Sequence, residues 1–162
     1  MGLGIALAIA GAAIATFMSG IGSSIGLGIA GRAATGVLTE KPERYGIMTL
    51  LVVLPSTQGI YGLVISLFVM LKLNMFGGGL EGDLSWQLGL QLLAACLPVG
   101  IAGMYSGINQ GKACAGGIMM SAKRPEMSVK AGVVYAALVE FYAILGFLVS
   151  LLAVMIGIQV PA

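Results

Sequence analysis

Four long stretches of this chain carry no charge at all: Met1–Gly31, Tyr45–Leu71, Leu84–Gly111 and Phe141–Ala162. Each exceeds the roughly 20 apolar residues that carry a helix across a bilayer. Three short polar breaks separate them, TEKPERY at Thr39–Tyr45, GGGLEGDL at Gly77–Leu84 and KRPEM at Lys123–Met127. The pattern predicts an all-α membrane protein with helices over about 3–38, 46–76, 85–122 and 128–159. Pro42 and Pro125 are expected to stop helices, and Gly77–Gly79 to make a tight turn. The N-terminal run reads as a span, not a leader, because it lacks a basic start and stays apolar well past a signal peptide's core.

The two halves repeat. SGIGSSIG at Ser19–Gly26 matches SGINQGKA at Ser106–Ala113 at an offset of 87; KPE at Lys41–Glu43 matches RPE at Arg124–Glu126 at 83. GLVISL at Gly62–Leu67 matches GFLVSL at Gly146–Leu151 at 84. The shift of four between the first two offsets is about one helical turn, so the helix faces stay in phase. Two tandem hairpins of like orientation follow, residues 1–76 and 85–162, joined by a loop at 77–84. This is a parallel duplication, unlike the inverted repeats of many transporters.

Composition removes whole classes of function. With 59% hydrophobic and 9% charged residues, the chain is far from the roughly 25% charge of soluble domains. There is no histidine, hence no Ser-His-Asp triad and no imidazole proton shuttle. A net charge of +2 provides no basic patch for nucleic acid. Cys96 and Cys114, 18 residues apart on one predicted helix, would stand about 27 Å apart and cannot pair. Arg32, Lys41, Arg44, Lys112, Lys123, Arg124 and Lys130 lie in or near the first and third breaks, and Lys72 alone lies near the second. The positive-inside rule therefore puts those two loops in the cytoplasm and both termini on the other side, where Trp86 suits an interface anchor.

Glycine divides the spans into two kinds, nine in residues 1–36 and seven in 85–122 against three in each of the others. Gly22, Gly26 and Ala30 form an i, i+4 stripe, as do Gly103, Gly107, Gly111 and Ala115. Such stripes let helix backbones approach closely. They fit helix pairing inside one chain or, continuous on both first and third spans, an inner wall of tightly packed helices with the other two outside it; Gly22, Gly26, Gly103, Gly107 and Gly111 are the expected packing positions.

Glu140 is the one acid inside an apolar span, where an ionisable group costs about 2.5–3.5 kcal/mol or more to insert and is a functional residue by default. Glu40, Glu43, Glu81, Asp83 and Glu126 fall in loops. Pro42 to Thr57, Pro125 to Glu140 and Gln110 to Pro125 are each 15 residues, so all three polar positions lie in one layer, about 22 Å from the cytoplasmic turns. In LPSTQGIYG at Leu54–Gly62, Leu54, Gln58 and Tyr61 share one helix face with Thr57 adjoining. Pro55 perturbs that helix and makes carbonyls available. The Glu140 carboxylate, the Gln58 and Gln110 carbonyls, the Thr57 hydroxyl and a backbone carbonyl would form an oxygen cage suited to a hard cation. One carboxylate among neutral oxygens matches a monovalent ion and leaves the filled site near neutral. A proton would need only the carboxyl.

The glycine-lined hairpins, LPSTQGIYG, SGINQGKA and ALVEFYAILGF together resemble the proteolipid (c or K subunit) of V-type ATPases, in particular its bacterial sodium-translocating form, over nearly the whole chain. The resemblance implies a rotor ring of identical subunits in lipid, with no active site of its own, driven by ATP hydrolysis in a separate soluble sector. It implies Na+, or alternatively H+, held by Leu54 through its carbonyl and by Thr57, Gln58, Gln110 and Glu140, with Tyr61 hydrogen-bonding the carboxylate. It further implies a bacterial cell membrane, central-stalk subunits on the cytoplasmic loops, and a stator membrane subunit whose arginine displaces the ion. Ser56 is a small departure from the family's motif. At the offset of 84, Glu140 aligns with Ser56, so each protomer would carry one ion instead of two.

Other classes compete. A four-helix cation-coupled drug exporter also has one membrane glutamate, but it needs an aromatic-lined pocket, and aromatic residues are 7% of this chain. A passive channel needs a wetted polar lining, and the glycine-rich spans are mostly Gly, Ala, Ile and Leu. A membrane enzyme needs a nucleophile–base pair, and none is visible.

Overall fold

The computed structural model describes residues 2–78 and 83–159; Glu81 and the rest of 79–82 in the second break lie outside them. Four helices long and apolar enough to cross a membrane run Leu3–Glu40, Pro42–Lys72, Trp86–Ser121 and Pro125–Gly157, and no strand occurs among the described residues. The second span ends at Lys72, four residues short of its expected end. Past it the chain turns through Asn74 (φ 50°) and Gly78 (φ 109°), left-handed conformations that asparagine and glycine tolerate best.

The prolines of the first and third breaks each act on both neighbouring helices. The residues before them, Lys41 (φ −136°, ψ 67°) and Arg124 (φ −136°, ψ 82°), are driven out of helical geometry, as the proline ring requires of its predecessor. Pro42 and Pro125 then open the next helices, where a missing N–H costs nothing. At the opposite end Ser85 caps the third span, its hydroxyl accepting from the Leu88 N–H at 3.4 Å.

The first and third spans form the centre of the bundle; the second packs on the first and the fourth on the third. The glycine stripes explain the closeness of the central pair. A Cβ at Gly22 would strike the Met104 backbone, at Gly26 the Gly107 carbonyl, at Gly107 the Gly22 backbone and at Gly111 the Gly26 backbone, all within 3 Å. At Gly103 it would strike the Ser19 side chain. These five glycines therefore pack inside one chain, one of the two uses that the sequence left open. The reason is geometric: each stripe finds its complement on the other half of the same repeat. Gly20, Gly28, Gly31 and Gly36, where a Cβ would meet nothing within 4 Å, face away from the bundle.

The outer helices sit on the inner ones in equivalent ways. Gly62 admits the Ala15 carbonyl, and Gly146 admits Ala102 and the Pro98 carbonyl. Ser66 donates to the Ala12 carbonyl at 2.5 Å, and Ser150 accepts from the Val99 N–H at 3.0 Å. Two lysines fasten one half to the other. Lys41 donates to the Ala122 carbonyl at the end of the third span, and Lys72 to the Val154 carbonyl (2.5 Å) near the end of the fourth. Cations at helix C-termini are favoured by the helix dipole. The fourth span widens into π-helical turns at Ser128–Val133 and Ala153–Gly157. From Val134 to Leu152 its outward face, including Leu138, Phe141, Leu145, Leu148 and Leu152, is exposed and, apart from the hydroxyls of Tyr135 and Tyr142, apolar, as a lipid-facing surface requires.

Candidate ion-binding site

Pro55 removes an N–H from the helical ladder, and the second span tightens there into a 3₁₀ turn over Leu54–Ser56. The Leu54 carbonyl then accepts both the backbone N–H and the hydroxyl of Thr57, the latter at 3.2 Å. The Pro55 ring is buried against Gly26, where any side chain would strike both it and Gly107. The first three spans thus meet beside this turn, which sets how near Gln58 comes to the third span.

Gln58 and Gln110 are fully buried. Gln58 Nε2 donates to Gln110 Oε1 at 2.6 Å and to Ser106 Oγ at 3.2 Å. Gln110 Nε2 donates to the Ala136 carbonyl at 3.1 Å and to Glu140 Oε2 at 3.3 Å. Tyr61 donates its hydroxyl to Glu140 Oε1 at 2.7 Å, and its ring packs on Phe147 with centroids 5.3 Å apart. The second, third and fourth spans therefore meet at one half-buried carboxylate. Among the described residues no lysine or arginine pairs with Glu140, and no cluster of three His, Cys, Asp or Glu exists. The charge on that carboxylate is met only by neutral dipoles.

Of the residues singled out from sequence, Tyr61, Gln58, Gln110 and Glu140 form one continuous hydrogen-bonded chain. Thr57 reaches it through a 3.4 Å contact with Gln58 Oε1, and Leu54 through Thr57. One orientation differs from expectation. Gln110 turns its amide nitrogen, not its carbonyl, toward Glu140, because the Ala136 carbonyl and the carboxylate are both acceptors and demand donors. Two participants escaped the sequence reading. Ser106 joins the cluster from the third span, and its signal was the i, i+4 spacing to Gln110 on one face. Phe147, two turns beyond Glu140, supports the Tyr61 ring.

A scan against family models matches the C subunit of ATP synthase twice, over residues 10–69 and 93–153. The chain is 44% identical over 152 residues to the V-type sodium ATPase subunit K of Enterococcus hirae, covering 94% of this chain and 92% of that one. It is 33% identical over 142 residues to the A-type ATP synthase subunit K of Methanocaldococcus jannaschii, covering 88% of this chain and 59% of that protein.

Proposed function

The chain belongs to the family of the ATP synthase C subunit, the ring-forming membrane proteolipids of rotary ATPases, and from that premise we propose that its cargo is sodium, one ion per protomer, carried on Glu140. The protein is an integral membrane rotor subunit that works as an oligomer of identical copies. The observation that carries the sodium reading is the pair of fully buried amides, Gln58 and Gln110, joined to a single carboxylate that has no cationic partner among the described residues. A carboxyl that exchanged only protons would need neither amide. A dehydrated monovalent cation needs several neutral oxygens beside one negative charge. The name of the Enterococcus relative, a sodium ATPase subunit, supports the same ion.

In this reading Glu140, Gln58 Oε1, the Thr57 hydroxyl and the Leu54 carbonyl supply oxygens. Gln110 supplies its carbonyl once its amide turns away from the carboxylate. Tyr61 holds the far carboxylate oxygen and keeps the headgroup in place. Tandem hairpins at 1–76 and 85–162 underlie the single ion per protomer, and the matching Ala15–Gly62 and Ala102–Gly146 contacts support that division. The basic first and third breaks support a cytoplasmic position for those loops, where stalk subunits would dock, with both termini opposite and the ring in a bacterial cell membrane. Release of the ion would follow when an arginine of the stator approaches Glu140 from the lipid side. Contacts between copies would use the faces bearing Gly20, Gly28, Gly31 and Gly36, which nothing among the described residues covers.

Carbodiimide labelling of Glu140 in the isolated ring, at varied sodium and pH, tests the assignment. Protection by sodium at neutral pH is expected, with protons competing for the same carboxylate. Labelling at neutral pH that ignores sodium would make this a proton-carrying ring.

A further inference from the structure

Ser106 stands at a junction that no ion-ligand role explains. Its hydroxyl is almost wholly buried on the third span, donates to the Val139 carbonyl at 3.0 Å and accepts from Gln58 Nε2 at 3.2 Å. One side chain thus ties the second, third and fourth spans together, one residue before Glu140. A serine hydroxyl has a single proton to give. Here that proton is spent on Val139, so toward Gln58 the oxygen can only accept. The Gln58 amide is thereby obliged to point its nitrogen at Ser106 and Gln110 and its carbonyl the other way, toward Thr57.

We infer that Ser106 is a positioning residue that sets the polarity of the Gln58 amide, and through it the preference of the Glu140 site for a metal cation over a proton. The inference rests on the sodium reading above. A Gln58 carbonyl facing the site attracts a cation; an amide N–H₂ facing it repels one. Without the Ser106 hydroxyl, the nitrogen keeps only Gln110 as acceptor, and the Val139 carbonyl loses its extra donor. Both orientations of Gln58 then become accessible, and the flipped one has donors where the ion needs an oxygen. Proton binding to Glu140 requires no oxygen from Gln58, so it is left essentially as it was.

The test uses rings of the full-length chain in detergent, with carbodiimide labelling of Glu140 followed across a sodium titration at fixed pH and across a pH titration without sodium. Ser106→Ala should raise the sodium concentration for half-protection roughly 5- to 30-fold, the effect of about 1–2 kcal/mol for a lost buried hydrogen bond. The pH at which labelling is half-maximal without sodium should stay in place. Ser106→Thr, which keeps the hydroxyl, should restore sodium protection to within a few-fold of the parent. Ser106→Cys, which fills the space but bonds poorly, should resemble the alanine variant and carries the test if alanine impairs assembly. Unchanged sodium protection in Ser106→Ala overturns the inference, and so does a matching shift in the pH dependence of labelling without sodium, which would mean general loosening. Absence of sodium protection in the parent ring is a different failure, that of the cargo assignment itself.

Discussion

Gln110 meets Glu140 through nitrogen, Nε2 to Oε2 at 3.3 Å, while its own carbonyl oxygen is held by Gln58 at 2.6 Å. The same side chain therefore has a donor for the bare carboxylate and an oxygen for a cation that displaces it. Gln110→Ala removes both. Loss of a contact to a charged group in a buried site costs about 1.5–3 kcal/mol, or roughly 10- to 150-fold in sodium affinity. Carbodiimide labelling should show sodium protection shifted by that factor, while labelling of the protonated carboxyl in the absence of sodium survives.

Glu140→Gln should abolish both ion transport by the assembled complex and all carbodiimide labelling at this position. The ring itself should persist, because replacing an ionisable group inside lipid by a neutral one removes a cost. Ring size by native mass spectrometry, together with sodium uptake into vesicles, checks both halves. Normal pumping by the variant would sink the central assignment.

Tyr61→Phe isolates one hydrogen bond. It deletes the 2.7 Å bond to Glu140 but keeps the ring against Phe147. Sodium should bind roughly 10- to 150-fold more weakly, and carbodiimide should react faster at subsaturating sodium, since a charge-assisted bond of this kind is worth about 1.5–3 kcal/mol. Tyr61→Ala loses the ring packing as well and should be worse in the same assay.

Gly107→Leu should stop the first and third spans from closing on each other. A Cβ at this position already meets the Gly22 backbone at 2.6 Å, and backbone cannot move aside as a side chain can. Cysteine cross-linking between the first and third spans should fail, while insertion into the membrane is unchanged. Gly28→Leu, in open space, should leave the same cross-link intact and weaken only the assembly of copies.

Hydropathy and charge alone determined that the chain is a four-span membrane protein, because a bilayer admits only helices whose length and polarity match it. Residue counting also put Thr57, Gln110 and Glu140 at one depth, since a helix rises by about 1.5 Å per residue whatever it packs against. Depth along an axis is a local property; azimuth and partner are not. The tertiary structure alone decided that the Gly22–Gly26 and Gly103–Gly111 stripes close on each other within a chain, since either stripe by itself is compatible with any smooth neighbour. It likewise decided which end of each amide faces Glu140, because that choice depends on acceptors such as the Ala136 carbonyl and Ser106, brought from other spans. A glutamine carries a donor and an acceptor at the same distance from its backbone, and only the groups around it can tell them apart.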